Sequence, residues 1–323
     1  MNRFLEYLQS VRESIASCPS KYLSPTLPIN LSKLKKMTSY FDPLGSINMP
    51  WLYETVSISN KNILHYRSGV PICPRIGPYI SELAYPYENP QVSVVPELLA
   101  YIDLLKSQNK KIGIFLHLDP TYLDRAGKVT GGTLDPFKQN EAIWASLVIG
   151  LEEVYPETVE VFLLPLDGAF LKKLMNSSAK YSMKEIEELI SEGVIELQEA
   201  AFYLSRSVLT PLSILNKVFE RVKGCFFSQY TDESILTLQE RKVFYVLFCA
   251  CLKEFLVYER EFDVTQTNCT DGVDRTSVFI LAQMLMHFNF LKKEMDREEL
   301  AGMLFGPALS IWKRAVMRWD YME

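Results

Sequence analysis

Ile112-Gly113-Ile114-Phe115-Leu116-His117-Leu118 is a short, nearly continuous apolar run, and Val159-Glu160-Val161-Phe162-Leu163-Leu164-Pro165-Leu166 is a second. Runs of this length with little polar alternation suit strands covered on both faces, the usual condition of parallel strands. Between them, residues 138–153 carry a helical pattern. Strand, helix and strand make a β-α-β unit, and the loop 117–137 then leaves the C-terminal end of the first strand. Open sheets place ligand-binding loops at that edge.

Outward from this unit the chain divides into recognisable pieces. Phe4, Leu5, Leu8, Val11 and Ile15 recur at helical spacing and predict a helix over 3–16. Residues 17–50, rich in Pro, Ser and Lys, read as a connector. Strand-like runs follow at 52–59 and 62–67, then a Pro-rich loop over 70–95 and a helix over 96–107. Beyond the unit the chain is mostly helical. Ser182 and Glu185 make a capping-box pattern for a helix at 183–192. Apolar helices are expected over 194–221, interrupted at Pro211, and over 233–258. Phe262–Asn268 reads as a short extended piece, 276–293 as a helix, and Gly306-Pro307 separates two last helical pieces. The expected division is an N-terminal helix and connector, 1–50, forming one structural unit with a domain over 51–323.

At 323 residues the chain can bury a large core, and its 48% hydrophobic and 23% charged residues are ordinary for a globular protein. A net charge of −5 argues against a nucleic-acid binder, but not against an anionic ligand, because a pocket can be locally positive. Cys18, Cys73, Cys225, Cys249, Cys251 and Cys269 are scattered, with no C-x2-C pair, and read as reduced thiols of a cytoplasmic protein. Cys249 and Cys251 sit in an apolar helical stretch and read as core. No zinc-ligand spacing is present and only His65, His117 and His287 could contribute, so no metal and no organic cofactor are expected. The first residues lack a basic segment followed by a long apolar run, hence no secretory signal is read there. The longest apolar run, Val243 to Cys251, ends at Lys253-Glu254 and is too short to span a bilayer.

Most of the chemical information lies in Cys269-Thr270-Asp271-Gly272-Val273-Asp274-Arg275-Thr276, a C-x5-R-[ST] pattern. That spacing suits a loop wrapped around one phosphate and leading into a helix, here through Val278, Phe279, Leu281, Ala282, Leu285 and Met286. Backbone N–H groups and the helix dipole would converge on the anion. The same donors stabilise a thiolate, so the Cys269 thiol is expected to ionise below the roughly 8.5 of a free cysteine. Cys269 would attack phosphorus, and Arg275 would hold two phosphoryl oxygens in a bidentate fork. Asp274, inside the loop beside the substrate's charge, is the expected general acid and then the base that activates water. Thr270, Asp271, Gly272 and Val273 would line the phosphate. Thr276 would join them and hydrogen-bond the cysteine sulfur. The plainer alternative is a buried small cysteine with an arginine six positions on by chance.

Thr267-Asn268-Cys269-x-Asp271-x-x-Asp274-Arg275-Thr276 resembles the loops of two phosphoinositide phosphatase families. Its interior is similar to the myotubularin loop, which has tryptophan in place of Val273. Its left flank resembles the Sac-type phosphatases, and the Asp-Arg-Thr ending also occurs in inositol phosphatases that bacterial pathogens inject into host cells. The resemblance covers about ten residues. It implies a cysteine-dependent phosphoric monoester hydrolase acting on a phosphoinositide headgroup at a membrane surface, with myotubularins pointing to the 3-phosphate. For a bacterial chain it implies delivery into the host cytosol. Three departures stand out: Asn268 replaces a common histidine, the lead-in Asp263-Val264-Thr265-Gln266-Thr267 is polar, and the loop has no lysine. With Asp271 and Asp274 in the loop, a lightly phosphorylated phosphatidylinositol is favoured over a crowded ring. The expected fold class is α/β: a protein-tyrosine-phosphatase-like core, a central sheet flanked by helices, and a large helical C-terminal part.

Other positions carry paired readings. Asp119 in His117-Leu118-Asp119-Pro120 is a possible alternative acid, while the simpler view is that Asp119-Pro120 and Asp124 shape a turn near Arg125 and Lys128. Arg67 and Arg75 are candidates for a second phosphate but read more simply as solvated surface residues. Gly131-Gly132-Thr133 lacks a Walker lysine and reads as a turn. Trp312, Lys313, Arg314, Arg318 and Trp319 give the last helix a basic, aromatic character that suits either an anionic membrane or packing on the domain. Two functional rivals remain: a protein tyrosine or dual-specificity phosphatase, and a catalytically inactive phosphoinositide-binding module.

Overall fold

The two apolar runs are adjacent parallel strands in a five-stranded sheet. The computed structural model describes residues 51–58, 61–74, 92–124, 126–129, 136–195, 202–270 and 274–290. The expected helix 3–16, the connector 17–50, Arg75, Arg125, Gly131-Gly132-Thr133, the Gly306-Pro307 break and the last helix with its tryptophans lie outside these residues.

In chain order, β1 (Trp51–Ile58) and β2 (Lys61–Gly69) form an antiparallel pair. β3 (Ile72–Pro74) and β4 (Val92–Val94) make a separate small sheet inside the stretch read as a Pro-rich loop. Then come α1 (Pro96–Ser107), β5 (Ile112–Leu116), α2 (Pro136–Ile149), α3 (Leu151–Val154) and β6 (Val159–Leu163). The expected helix over 138–153 is therefore two, broken at Gly150. α4 (Ala169–Leu174), β7 (Tyr181–Ser182), α5 (Met183–Ile195), α6 (Pro211–Phe226), β8 (Ile235–Leu236) and α7 (Leu238–Arg260) follow. Last among the described elements are β9 (Val264–Cys269) and α8 (Asp274–Phe290). The main sheet runs β1-β2-β9-β5-β6, with β2, β9, β5 and β6 mutually parallel.

Local chemistry explains the helix starts. The Ser182–Glu185 capping box is present: Ser182 N donates to Glu185 Oε2 at 2.7 Å and Glu185 N to Ser182 Oγ at 3.3 Å. Thr237 and Glu240 form a second one ahead of α7. The helix expected over 194–221 is corrected by the structure: α6 begins only at Pro211, whose missing N–H is harmless at a first helical position. Within residues 202–210, Tyr203 instead pairs with the outer edge of β6. Leu163 N donates to Tyr203 O at 2.8 Å and Tyr203 N to Leu163 O at 3.2 Å, while the Tyr203 hydroxyl donates to Glu152 Oε2 at 2.6 Å. The apolar residues there are periodic enough to read as helix, but tertiary pairing with β6 overrides that pattern.

Alternating side chains of the sheet feed two cores. Ile63, Phe115 and Phe162 pack with Phe262 against α5, α6, α7 and α8. Ile112, Ile114, Leu116, Val161 and Leu163 pack against α1 and α2. The central strand, β9, is the polar Val-Thr-Gln-Thr-Asn-Cys segment, and all six of its residues are buried. Its side chains are matched one by one. His65 Nδ1 lies 2.7 Å from Thr265 Oγ1, and Lys253 Nζ donates to Thr267 Oγ1 at 3.0 Å. Gln266 Nε2 donates to Ser68 Oγ at 2.8 Å, and Ser68 Oγ donates to Asn268 Oδ1 at 2.9 Å. A polar lead-in is thus compatible with the most buried place in the sheet, because each of its polar side chains meets at least one partner there.

Candidate active site

Cys269 is the last residue of the central strand, at the C-terminal edge of the parallel strands. Its neighbours hold it on both sides: Val70 N donates to Cys269 O at 3.0 Å, and His117 N to Asn268 O at 2.8 Å. The chain leaves β9 through Thr270 and enters the 17-residue α8 at Asp274, so the first turn of a long helix carries Asp274, Arg275 and Thr276. Cys269 is 1% exposed, and Asp274 and Thr276 are also buried. The expected cradle positions Asp271, Gly272 and Val273 lie outside the described residues.

Arg275 reaches across the strand ends. Nη1 donates to His117 O at 2.7 Å and to Glu141 Oε2 at 2.9 Å; Nη2 donates to Glu141 Oε1 and, at 3.2 Å, to Thr270 Oγ1. The fork expected to face phosphate faces the Glu141 carboxylate instead. Of five guanidinium donors, Nε–H has no protein acceptor among the described residues. Burial opposes the Arg275 charge, but the hydrogen-bonded Glu141 carboxylate outweighs it, so the guanidinium is held charged more firmly than usual.

Glu141, on α2, was not legible as a site residue. It is buried, and besides Arg275 it accepts from Thr270 Oγ1 at 2.5 Å and from Asp119 N at 2.6 Å. Burial pushes its carboxyl up, yet Arg275 and these two further donors prevail and hold it below the ordinary value. Nothing in the helical pattern of 138–153 distinguishes this glutamate from a solvated one. Asp119 is drawn to the same place. It is buried, its Oδ1 accepts from Thr121 N at 3.0 Å and from the Thr121 hydroxyl, and it packs against Gly168. Gly168 has φ +106, and a Cβ there would run into Asp119 Oδ1. The turn reading holds for Asp124 as well, whose Oδ1 accepts from Ala126 N at 2.9 Å and Lys128 N at 2.8 Å.

Three buried polar atoms on residues at the ends of β5 and β9 and the start of α8 have no hydrogen-bond partner among the described residues: His117 Nε2, Asn268 Nδ2, on the face of β9 opposite Cys269, and Thr276 Oγ1. Thr276 therefore does not bond the cysteine sulfur as expected; its hydroxyl is enclosed in the first turn of α8. His117 Nδ1 lies 2.7 Å from Leu164 O and, facing a carbonyl, must donate, which leaves Nε2 as a bare acceptor. Burial drives the His117 pKa down to about 3, against the Leu164 hydrogen bond and with help from the Lys253 and Arg275 charges, so the ring is neutral. Unsatisfied buried groups are uncommon, and His117 Nε2 and Thr276 Oγ1 are two of them on elements that border the end of β9.

Arg67 departs from its expected setting. It is not a solvated surface residue but 5% exposed, and its Nη2 donates to Ser277 Oγ at 3.0 Å in the first turn of α8. Cys249 and Cys251 lie in the helical core as expected. Cys225, Cys249, Cys251 and Cys269 are free; burial pushes the Cys249 thiol far up and the Cys251 thiol to about 11. Among the described residues no group of three or more His, Cys, Asp or Glu is placed to hold a metal, and no helix is long and apolar enough to cross a membrane. No protein-family model, no curated protein and no solved structure matches the chain.

Proposed function

We propose that the chain is a cysteine-dependent phosphatase that hydrolyses a phosphate monoester through a phosphocysteine intermediate. The observation that supports this most is the joint position of Cys269, ending the central strand, and Arg275, in the helix turn that follows, with Glu141 holding the guanidinium at the strand ends. The Cys269 thiolate attacks phosphorus and forms the S–P bond as the P–O bond to the leaving alcohol breaks. Asp274 gives its proton to that oxygen, then takes one from a water that attacks the phosphocysteine, releasing inorganic phosphate and the thiolate. Asp274 is favoured over Asp119 because it opens α8 next to the loop. Arg275 meets the phosphoryl oxygens with its Nε–H and with one Nη group that exchanges Glu141 for substrate.

The substrate reading rests on the loop itself. The lysine-free sequence with Asp274 in it favours a lightly phosphorylated phosphatidylinositol, the 3-phosphate first, presented at a membrane surface. Phosphate release from short-chain phosphoinositides and from a phosphotyrosine peptide tests both parts. The wild type is expected to release phosphate from singly or doubly phosphorylated lipids, and Cys269→Ser to release none. Preference for the peptide over every lipid would move the chain to the tyrosine or dual-specificity class. Lipid binding without release from any substrate would make it a binding module.

A further inference from the structure

The floor beneath Cys269 holds two more buried cations. Residues 267 and 269 share a face of β9, with Thr267 about 7 Å back along the strand. Arg67 is the lateral neighbour of Thr267 on β2 and reaches Ser277 in the first turn of α8. Lys253 comes up from α7, fully buried, and donates to Thr267 Oγ1 at 3.0 Å and Gln283 Oε1 at 3.1 Å. Its ammonium lies 5.4 Å from the centroid of Phe115 and 5.5 Å from that of Phe279. Taking an ammonium and a guanidinium out of water is costly, and a cation at a helix N-terminus is further opposed by the helix dipole. An anion at the end of β9 lies in the field of both charges.

We propose that Arg67 and Lys253 are positioning residues that hold Cys269 as a thiolate, so that the ionisation of the nucleophile is set from behind the loop as well as by Arg275. The proposal rests on the reading of Cys269 as the nucleophile and identifies what activates it. Burial alone works in the opposite direction, as at Cys249 in the apolar body of α7. Negative groups oppose the thiolate from several elements. Asp274 stands on α8, Glu141 on α2, and Asp119 and Asp167 on the loops after β5 and β6. Glu141 is engaged by Arg275, and Glu254 lies behind Lys253, joined to it through Gln283. His117 is neutral and His65 is bonded to Thr265. Against these stand three cations, two of them in the low-dielectric floor, where their field is least screened.

The experiment is the pH titration of thiolate ultraviolet absorbance in the full chain, taken as the difference from Cys269→Ser. The wild-type midpoint is expected below the roughly 8.5 of a free thiol. Lys253→Met and Arg67→Met should each raise it by about one pH unit, a roughly tenfold loss of thiolate below the midpoint, while Arg67→Lys holds it. Arg275→Ala should raise it yet leave it below the free value, because the floor remains. A folded Lys253→Met or Arg67→Met with an unchanged midpoint overturns the proposal. So does a return to the free value in Arg275→Ala, which decides the matter even where the floor variants do not fold. No substrate is present in the titration. Low midpoints without phosphate release would sink the phosphatase reading alone, and normal release with insensitive midpoints would sink the role of Arg67 and Lys253 alone.

Discussion

β5 and β9 lie side by side in the middle of one sheet, both wholly buried, yet one reads Ile-Gly-Ile-Phe-Leu and the other Val-Thr-Gln-Thr-Asn-Cys. The apolar strand is held by non-directional burial, roughly 1.5–3 kcal/mol for each large side chain removed from water. Phe115 stacks on Phe162 at 5.0 Å between centroids and meets Phe262 edge-on, and Gly113 leaves room for the same Phe262 ring. The polar strand is held by directional bonds to His65, Ser68 and Lys253, each with a net value nearer 1 kcal/mol. Burial is therefore not what sets the two apart; the number of matched partners is. β5 contributes bulk stability, and β9 brings polar and charged groups to the base of Cys269 where an apolar strand would bring none.

The comparison can be broken at either strand. The largest effect is expected for Phe115→Ala, which should lower unfolding free energy by about 3–5 kcal/mol in urea melts, since it empties the stacked aromatic layer. A loss below that of Ser68→Ala would break the contrast. Glu141→Gln comes second, at about 3 kcal/mol near neutral pH, because it leaves the buried Arg275 charge without its carboxylate. Its pH dependence has a definite sign. The Glu141 carboxyl is depressed below its ordinary 4.5, so the stability it contributes is present above that value and is lost as pH falls through the depressed one. The gap between wild type and variant should therefore narrow in acid. A gap that stays constant with pH would mean that the pair adds nothing through its charge. The smallest effect belongs to Ser68→Ala, about 1–2 kcal/mol, since Gln266 and Asn268 each lose a partner while no cavity of consequence forms. A loss as large as that of Phe115→Ala would show that the polar strand is as strongly anchored as the apolar one.

Much of the scaffold was readable because its signals are local. The helix over 96–107 and the capping box at Ser182 and Glu185 match the structure, and the two apolar runs are parallel neighbours as read. Residues 202–210 were misread because Phe202, Tyr203, Leu204 and Val208 imitate a helical stripe, while their backbone pairs with the edge of β6. Arg67 was misread because an isolated arginine beside a Pro-rich stretch gives no sign of its strand register; only pairing with β9 buries it. Lys253 left a faint trace, a lone cation on the helix that carries the longest apolar run, but its meaning depends on Thr267 and Gln283 lying opposite. Glu141 left none.

By itself the sequence determined the α/β class, the loop that follows β5, and the Cys269–Thr276 segment with its cysteine and arginine, since these depend on periodicity and on spacing within a few residues. Tertiary structure alone decided which strand is central, what Arg275 bonds to, and that Arg67 and Lys253 lie beneath the cysteine. Those facts are pairings between residues roughly 130 to 210 positions apart for Arg275–Glu141 and Arg67–Ser277, and between a helix and the strand after it for Lys253–Thr267. Directional bonds of this kind form only once the apolar strands have set the register, and no local pattern encodes which distant partner will complete them.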